Sequence, residues 1–145
     1  MNECDVIIER VFDYPRERVF RAFSDPAVLA RWWGPAGFSN TFKVFDFEPE
    51  GLWKFTMHGP DGVNYPNESV FQEIVKPERI VFDHTTGHLF RAIFAFAEQD
   101  GKTLVHWTMR FPSVDACAKV RDFVTEMNGQ NMDRLEAQLG KMNGS

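Results

Sequence analysis

Between Phe38 and Met109 the chain alternates short apolar and polar runs with turn residues, and no connection there has the length of a helix. "LWKFTMH" sets Trp53, Phe55 and Met57 against Lys54, Thr56 and His58, the period of two expected of a half-buried strand. The runs "NESVFQEIV", "RIVFDH", "HLFRAIFAFAE" and "KTLVHWTMRF" are separated by Lys76-Pro77, Thr85-Thr86-Gly87 and Gln99-Asp100-Gly101, residues that favour tight turns. Strands joined this closely pair antiparallel with their sequence neighbours, so the spacing predicts a meander of about six strands.

Such a sheet must bury one face, and one segment is long enough to lie across it. From about Val114 to about Leu139 the period becomes helical. Val120, Phe123, Val124, Met127, Leu135 and Leu139 form a broad apolar stripe interrupted by Asn131, and Ser113 is placed to cap it. Gly129 either allows a close approach or marks a bend. Ahead of the meander, "CDVIIERVF" reads as a strand with Val6, Ile8 and Phe12 on one face and Ile7 and Val11 on the other; with both faces apolar, it is expected to be covered on each side. "DYPRERVFRAF" and "SDPAVLARWW" then read as two short helices, Asp25 capping the second and Gly34-Pro35 ending it. The expected fold is α+β: a curved antiparallel sheet wrapped around a long C-terminal helix, with two short helices after the first strand. A chain of 145 residues is expected to make this one domain over 1–145. A straight helix over a curved sheet leaves a gap.

Composition narrows the partners. The net charge of −5 comes with no basic run, which argues against nucleic acid and against an anionic membrane surface. No segment approaches the ~20 apolar residues of a membrane span. "MNECDVIIER" carries acids where a signal peptide carries positive charge. Cys4 and Cys117 lie far apart and read as neither a metal pair, a redox motif nor a disulfide framework. A cytoplasmic location in a reducing compartment is therefore expected.

Fifteen phenylalanines against two tyrosines supply much apolar area and few polar atoms, which suits a wide interior. Strand parity points Trp53, Phe55 and Met57 inward, with Phe82 and His84, Phe94 and Phe96, and Trp107 and Met109. Phe123 and Met127 join them from the helix, and Phe71 and Trp33 complete the lining. Either these side chains surround a cavity for a small molecule, or they meet and fill the space. His84 is the polar residue of interest, as a donor or acid-base group near the mouth or as a histidine bonded to backbone beside a turn. Tyr65 and Asn67 are candidates for hydroxyl and amide contacts, and the Trp107 indole for fixing orientation.

The remaining chemistry is sparse. Glu73 and Arg79 flank a turn as a structural ion pair, and His106 points outward by parity. His84 and His88 stand four apart across a turn without a third ligand, so neither a metal nor a cofactor is expected. No nucleophile elbow or phosphate loop occurs, and Cys117 lacks a partner base. In "RWWGPAGF", neighbours on a helix point about 100° apart. Trp33 is expected to pack inward with Leu29, and Trp32 to follow Val28 to the rim of a lid hinged at Gly34-Pro35; the other reading has both sealing the core.

"RVFDYPRERVFRAFSDPAVLARWWGP", "FEPEGLWKF", "HGPDG", "FQEIVKPERIVF", "GKTLVHW" and "MDRLEAQL" resemble the homologue-1-like family named for activators of the heat-shock protein 90 ATPase, within the START-like superfamily. The resemblance spans nearly the whole chain and implies the helix-grip fold with a ligand cavity between sheet and helix. Its members carry lipids, sterols, plant metabolites or polyketides, some cyclise or hydrolyse them, and many small bacterial ones have no established role. Two departures stand out: Glu50-Gly51 where relatives commonly show Gly-Gly, and Met127-Asn128 where many carry Gly-Trp. The tryptophan that often fills part of the pocket roof is thereby replaced, which implies more space. The expected function is binding of a small hydrophobic or aromatic ligand. The alternatives are a chaperone-binding module, or an enzyme of the polyketide cyclase or hydrolase kind. The oligomeric state is left open between monomer and homodimer.

Overall fold

The computed structural model describes residues 4–87 and 89–142. Strand β1 (Cys4–Phe12) is followed by helices α1 (Arg16–Ser24) and α2 (Pro26–Trp32). Strands β2 (Ser39–Phe45), β3 (Leu52–His58), β4 (Asn64–Val75), β5 (Arg79–His84), β6 (Phe90–Gln99) and β7 (Lys102–Phe111) precede the long helix α3 (Val114–Lys141). The strands form one sheet in the order β1-β7-β6-β5-β4-β3-β2, antiparallel throughout. The meander is thus as the turn residues predict, and β1 returns to pair with β7. Register shifts at Phe42/Val44 and Phe71/Glu73 are the bulges through which a sheet bends and twists more strongly. Glu50, in the β2–β3 loop, takes a φ of 69°, a left-handed conformation that glycine adopts without strain.

Helix signals act where expected. Asp25 Oδ1 accepts from Ala27 N at 3.1 Å, and Ser113 Oγ from Ala116 N at 3.1 Å. α3 runs unbroken through Gly129, where a side chain would meet nothing within 4 Å, so this glycine does not serve a close approach. α3 packs on β1, β7, α1 and α2, while none of its Cα atoms comes within 8 Å of one in β2 to β6. The helix therefore closes one side of the bowl and stands off from the other.

The concave face carries Trp53, Phe55, Phe82, Phe94 and Trp107, all buried. Trp53 stacks on Phe55 at 4.4 Å and meets Trp33 at 5.4 Å, and Phe94 lies 4.8 Å from both Trp107 and Phe23. At this end of the bowl only about 10 Å³ is left between Phe23, Leu29, Phe47 and Ile80 and their neighbours, no more than one water fills.

Three expectations are corrected. Ile7 and Val11 are 51% and 46% exposed: β1 is an edge strand and nothing in the described residues covers its outer face. Trp32 is not at a rim but buried, its Nε1 donating to Ala22 O at 2.9 Å and its ring set edge-on to Phe23. The 100° rule fails for this pair because α2 ends at Trp32 and Trp33 is already extended, with φ −66° and ψ 134°; the chain turns and both indoles go in. Cys4 and Cys117, finally, form a disulfide. Cys4 pairs with Phe111 at the end of β7, and α3 starts two residues beyond that strand, so the closed topology joins cysteines that look remote in sequence. That removes the cysteine premise for a reducing compartment. Among the described residues no helix is long and apolar enough to cross a membrane.

Outer-face pairs follow parity. Glu73 Oε1 accepts from Arg79 Nε at 2.8 Å, and His106 Nδ1 meets Glu9 Oε2 at 2.5 Å, both partly exposed. Arg110 donates to both oxygens of Asp5 from β7 to β1, and that hydrogen-bonded guanidinium holds the Asp5 carboxyl below its ordinary range.

Candidate functional site

Where α3 stands off from the strands, a hollow of about 250 Å³ lies between them. Phe55, Met57, Phe82, Trp107 and Met109 form its sheet side, inward positions of β3, β5 and β7 as alternation requires. Asn67, Ser69, His84 and Phe90 form one wall, and Met127, Asn128 and Asn131 descend from α3 as its roof. Trp33, Gly34 and Pro35 border it from the segment after α2, and the hollow is partly open.

Of the residues read from the sequence as lining, Trp33, Phe55, Met57 and Phe82 border the hollow, with His84, Trp107, Met109 and Met127. Trp53, Phe71 and Phe94 are buried but belong to the filled aromatic end. Two placements are corrected. Phe123 is 66% exposed; Cys117, Asn128, Asn131 and Leu135 set the inward phase of α3, and Phe123 falls off the edge of that stripe. Tyr65 is also exposed, its ring 5.9 Å from Phe38. It lies at the turn end of β4, beyond the hollow. His88 lies outside the described residues.

Sequence reasoning passed over Ser69 and Asn128 as lining, because small or polar residues leave no apolar period, and it passed over Phe90, which has the parity of the inward Phe94 and Phe96 and could have been found by it. Asn131 left a signal as the interruption in the stripe. His84 Nε2 lies 2.7 Å from Asn67 Oδ1, and its ring stacks on Phe90 at 4.8 Å and 9°. His84 and Phe90 also border a shallower outer recess of about 440 Å³ beside Pro112, so these two rings stand between inside and outside. Trp107 Nε1 and Ser69 Oγ are buried without a hydrogen-bond partner among the described residues.

The two roof amides are oriented by what they bind. Of the two ends of a carboxamide only the oxygen accepts, so Gly34 N, 3.1 Å from Asn131 Oδ1, fixes that amide. Asn128 Nδ2 donates to Met109 Sδ at 3.1 Å, the arrangement in which the weak sulfur acceptor is used.

The segment after α2 is fastened to α3, which the sequence reading missed. Arg134 Nη1 donates to Gly34 O and Pro35 O at 2.9 Å, and Nη2 to Arg31 O at 3.0 Å and Phe38 O at 2.9 Å. Gln130 Oε1 accepts from Ala36 N at 3.0 Å. Partial burial pushes the Arg134 guanidinium below its ordinary value. The segment expected as a hinged lid is held down as a wall.

Residues 13–140 match the family model described as activator of Hsp90 ATPase homolog 1-like protein. No curated protein matches. Among solved structures, a protein from Nitrosomonas europaea is 19% identical with a TM-score of 0.86, the match covering 94% of each chain. One from Arthrobacter aurescens is 24% identical with a TM-score of 0.87, covering 97% of this chain and 88% of that one. The AHSA1 protein from Silicibacter pomeroyi is 23% identical with a TM-score of 0.80, covering 95% and 99%. At these identities the likeness is one of fold.

Proposed function

The chain belongs to the activator of Hsp90 ATPase homolog 1-like family, and from that premise we propose that it binds a small, predominantly apolar ring compound between α3 and the sheet. The observation that carries the reading is the hollow of about 250 Å³. A void of ~150 Å³ lined by aliphatic and aromatic side chains takes up benzene, and drug-sized pockets begin near ~300 Å³. The occupant is therefore one ring with a short substituent. Removal of apolar surface from water, at ~25 cal/mol per Å², drives its entry.

A module that works by docking a chaperone on an exposed Trp32 would have that indole outside and its interior filled. The buried Trp32 and the hollow beside Trp33 favour the ligand reading instead. The test uses the roof. Asn128→Trp puts back the indole that many relatives are expected to carry there, and fills the space from the helix side at the cost of the bond from Asn128 to Met109. Uptake of ethylbenzene and of acetophenone, followed by ligand-observed NMR, is expected in the native chain and at least tenfold weaker in a folded Asn128→Trp variant. Equal uptake by that variant places the binding elsewhere, and no uptake of either probe by the native chain ends the reading.

A further inference from the structure

Asn128 and Asn131 are both more than nine-tenths buried and both border the hollow from α3. Burying two primary amides in a mainly apolar lining is costly unless their polar atoms are used. Each is half used. Asn128 donates Nδ2 to Met109 Sδ, and Asn131 accepts at Oδ1 from Gly34 N. What remains is an acceptor, Asn128 Oδ1, and a donor, Asn131 Nδ2. Neither of these two atoms is among the buried polar atoms sealed off without a partner, so the hollow is the place left for them to face. The residues stand three apart on one helix, which sets their Cβ atoms about 5–6 Å apart on the same face.

Among the described residues no Asp, Glu, Lys or Arg borders the hollow, and the Nε2 of His84, the one ionisable side chain among those lining it, is already 2.7 Å from Asn67 Oδ1, so a carboxylate ligand would enter without a dedicated counter-ion. We infer that the Asn128–Asn131 pair recognises an uncharged group offering both a hydrogen-bond donor and an acceptor, of the carboxamide type, on a small aromatic ring. Ring and amide then match the two parts of the site: the ring lies against Phe55, Phe82 and Trp107, and the amide points up to α3. The inference rests on the ligand reading above and specifies its polar end.

Three nearly isosteric probes separate the possibilities: benzamide offers donor and acceptor, acetophenone an acceptor alone, and benzoate a charge. Titrated into the native chain at neutral pH by calorimetry, benzamide is expected to bind at least tenfold tighter than acetophenone, and benzoate more weakly than either. Asn128→Leu keeps the volume and removes the acceptor, so it is expected to abolish the benzamide preference while acetophenone binds within about twofold of native. Asn131→Asp keeps the bond from Gly34 N and removes the donor that the carbonyl of either probe uses, so benzamide and acetophenone are expected to weaken together by about tenfold while the benzamide preference remains. Benzamide no tighter than acetophenone, benzoate as tight as benzamide, a preference that survives Asn128→Leu, or acetophenone unweakened by Asn131→Asp overturns the inference and leaves the ligand reading standing. Failure of all three probes to bind overturns both.

Discussion

Gly34 sits where backbone, sheet and roof meet, and its conformation suits glycine alone. Its φ is 101°, and a Cβ there would stand 2.7 Å from Met57 Cε and 3.3 Å from Phe38 Cβ. The missing side chain lets the backbone reach Asn131, which Gly34 N meets at 3.1 Å. Gly34→Ala is therefore expected to cost about 1–3 kcal/mol from the left-handed backbone and the crowding, read as a lower midpoint in urea at unchanged slope. Because the thioether end of Met57 is flexible and borders the hollow, part of the displacement goes inward, and acetophenone uptake should weaken in the same variant. A midpoint equal to native would show that the segment has another way to lie. At this scale the sequence was readable for type and not for consequence: Gly34-Pro35 marks the end of a helix, and Leu29-Trp33 spacing sends one indole inward, but the extended conformation that buries Trp32 as well lies in no residue pattern.

Helix α3 is two elements in one. From Asn128 to Leu139 it presents Asn131, Met132, Leu135 and Gln138 to the interior, whereas the half before it is largely exposed and is anchored at Cys117. The apolar stripe foretold the helix and its cap, yet a stripe that broad does not say which edge faces in, and Phe123 was lost for that reason. Arg134 shows the other limit. Within "MDRLEAQL" it reads as one more solvated charge, but its partners are carbonyls about a hundred positions earlier in the chain, and no local period encodes them. Its guanidinium serves as a fork with several fixed donors, a geometry an ammonium does not reproduce. Arg134→Lys is accordingly expected to lose about 1.5–3 kcal/mol, the range for hydrogen bonds to a charged group, and to speed amide exchange at Ala36 and Phe38. Native stability in the lysine variant would mean that Asn131 and Gln130 hold the segment by themselves.

Across the whole molecule, the meander and its closure by a helix follow from turn chemistry and period, and the hollow does not. A void is a difference between the volume enclosed and the volume of the side chains inside; the same rings fill one end to about 10 Å³ and leave about 250 Å³ at the other. What decides is how far α3 stands from β3 to β5, and that distance is set by its attachments. One of these is the Cys4–Cys117 disulfide, which joins the edge strand to the helix across 113 residues of chain. Restricting so long a loop in the unfolded state is worth about 2–5 kcal/mol. Neither cysteine borders the hollow, so the bond should hold the frame without shaping the ligand. Reduction with dithiothreitol, or the paired change Cys4→Ala and Cys117→Ala, is expected to lower unfolding free energy by that amount while acetophenone affinity stays within about twofold at 25 °C. If affinity falls with the bond, the first half of α3 shapes the roof as well as the frame. If stability does not change on reduction, the closure of β1 against α3 rests on packing and on the Arg10–Asp133 pair.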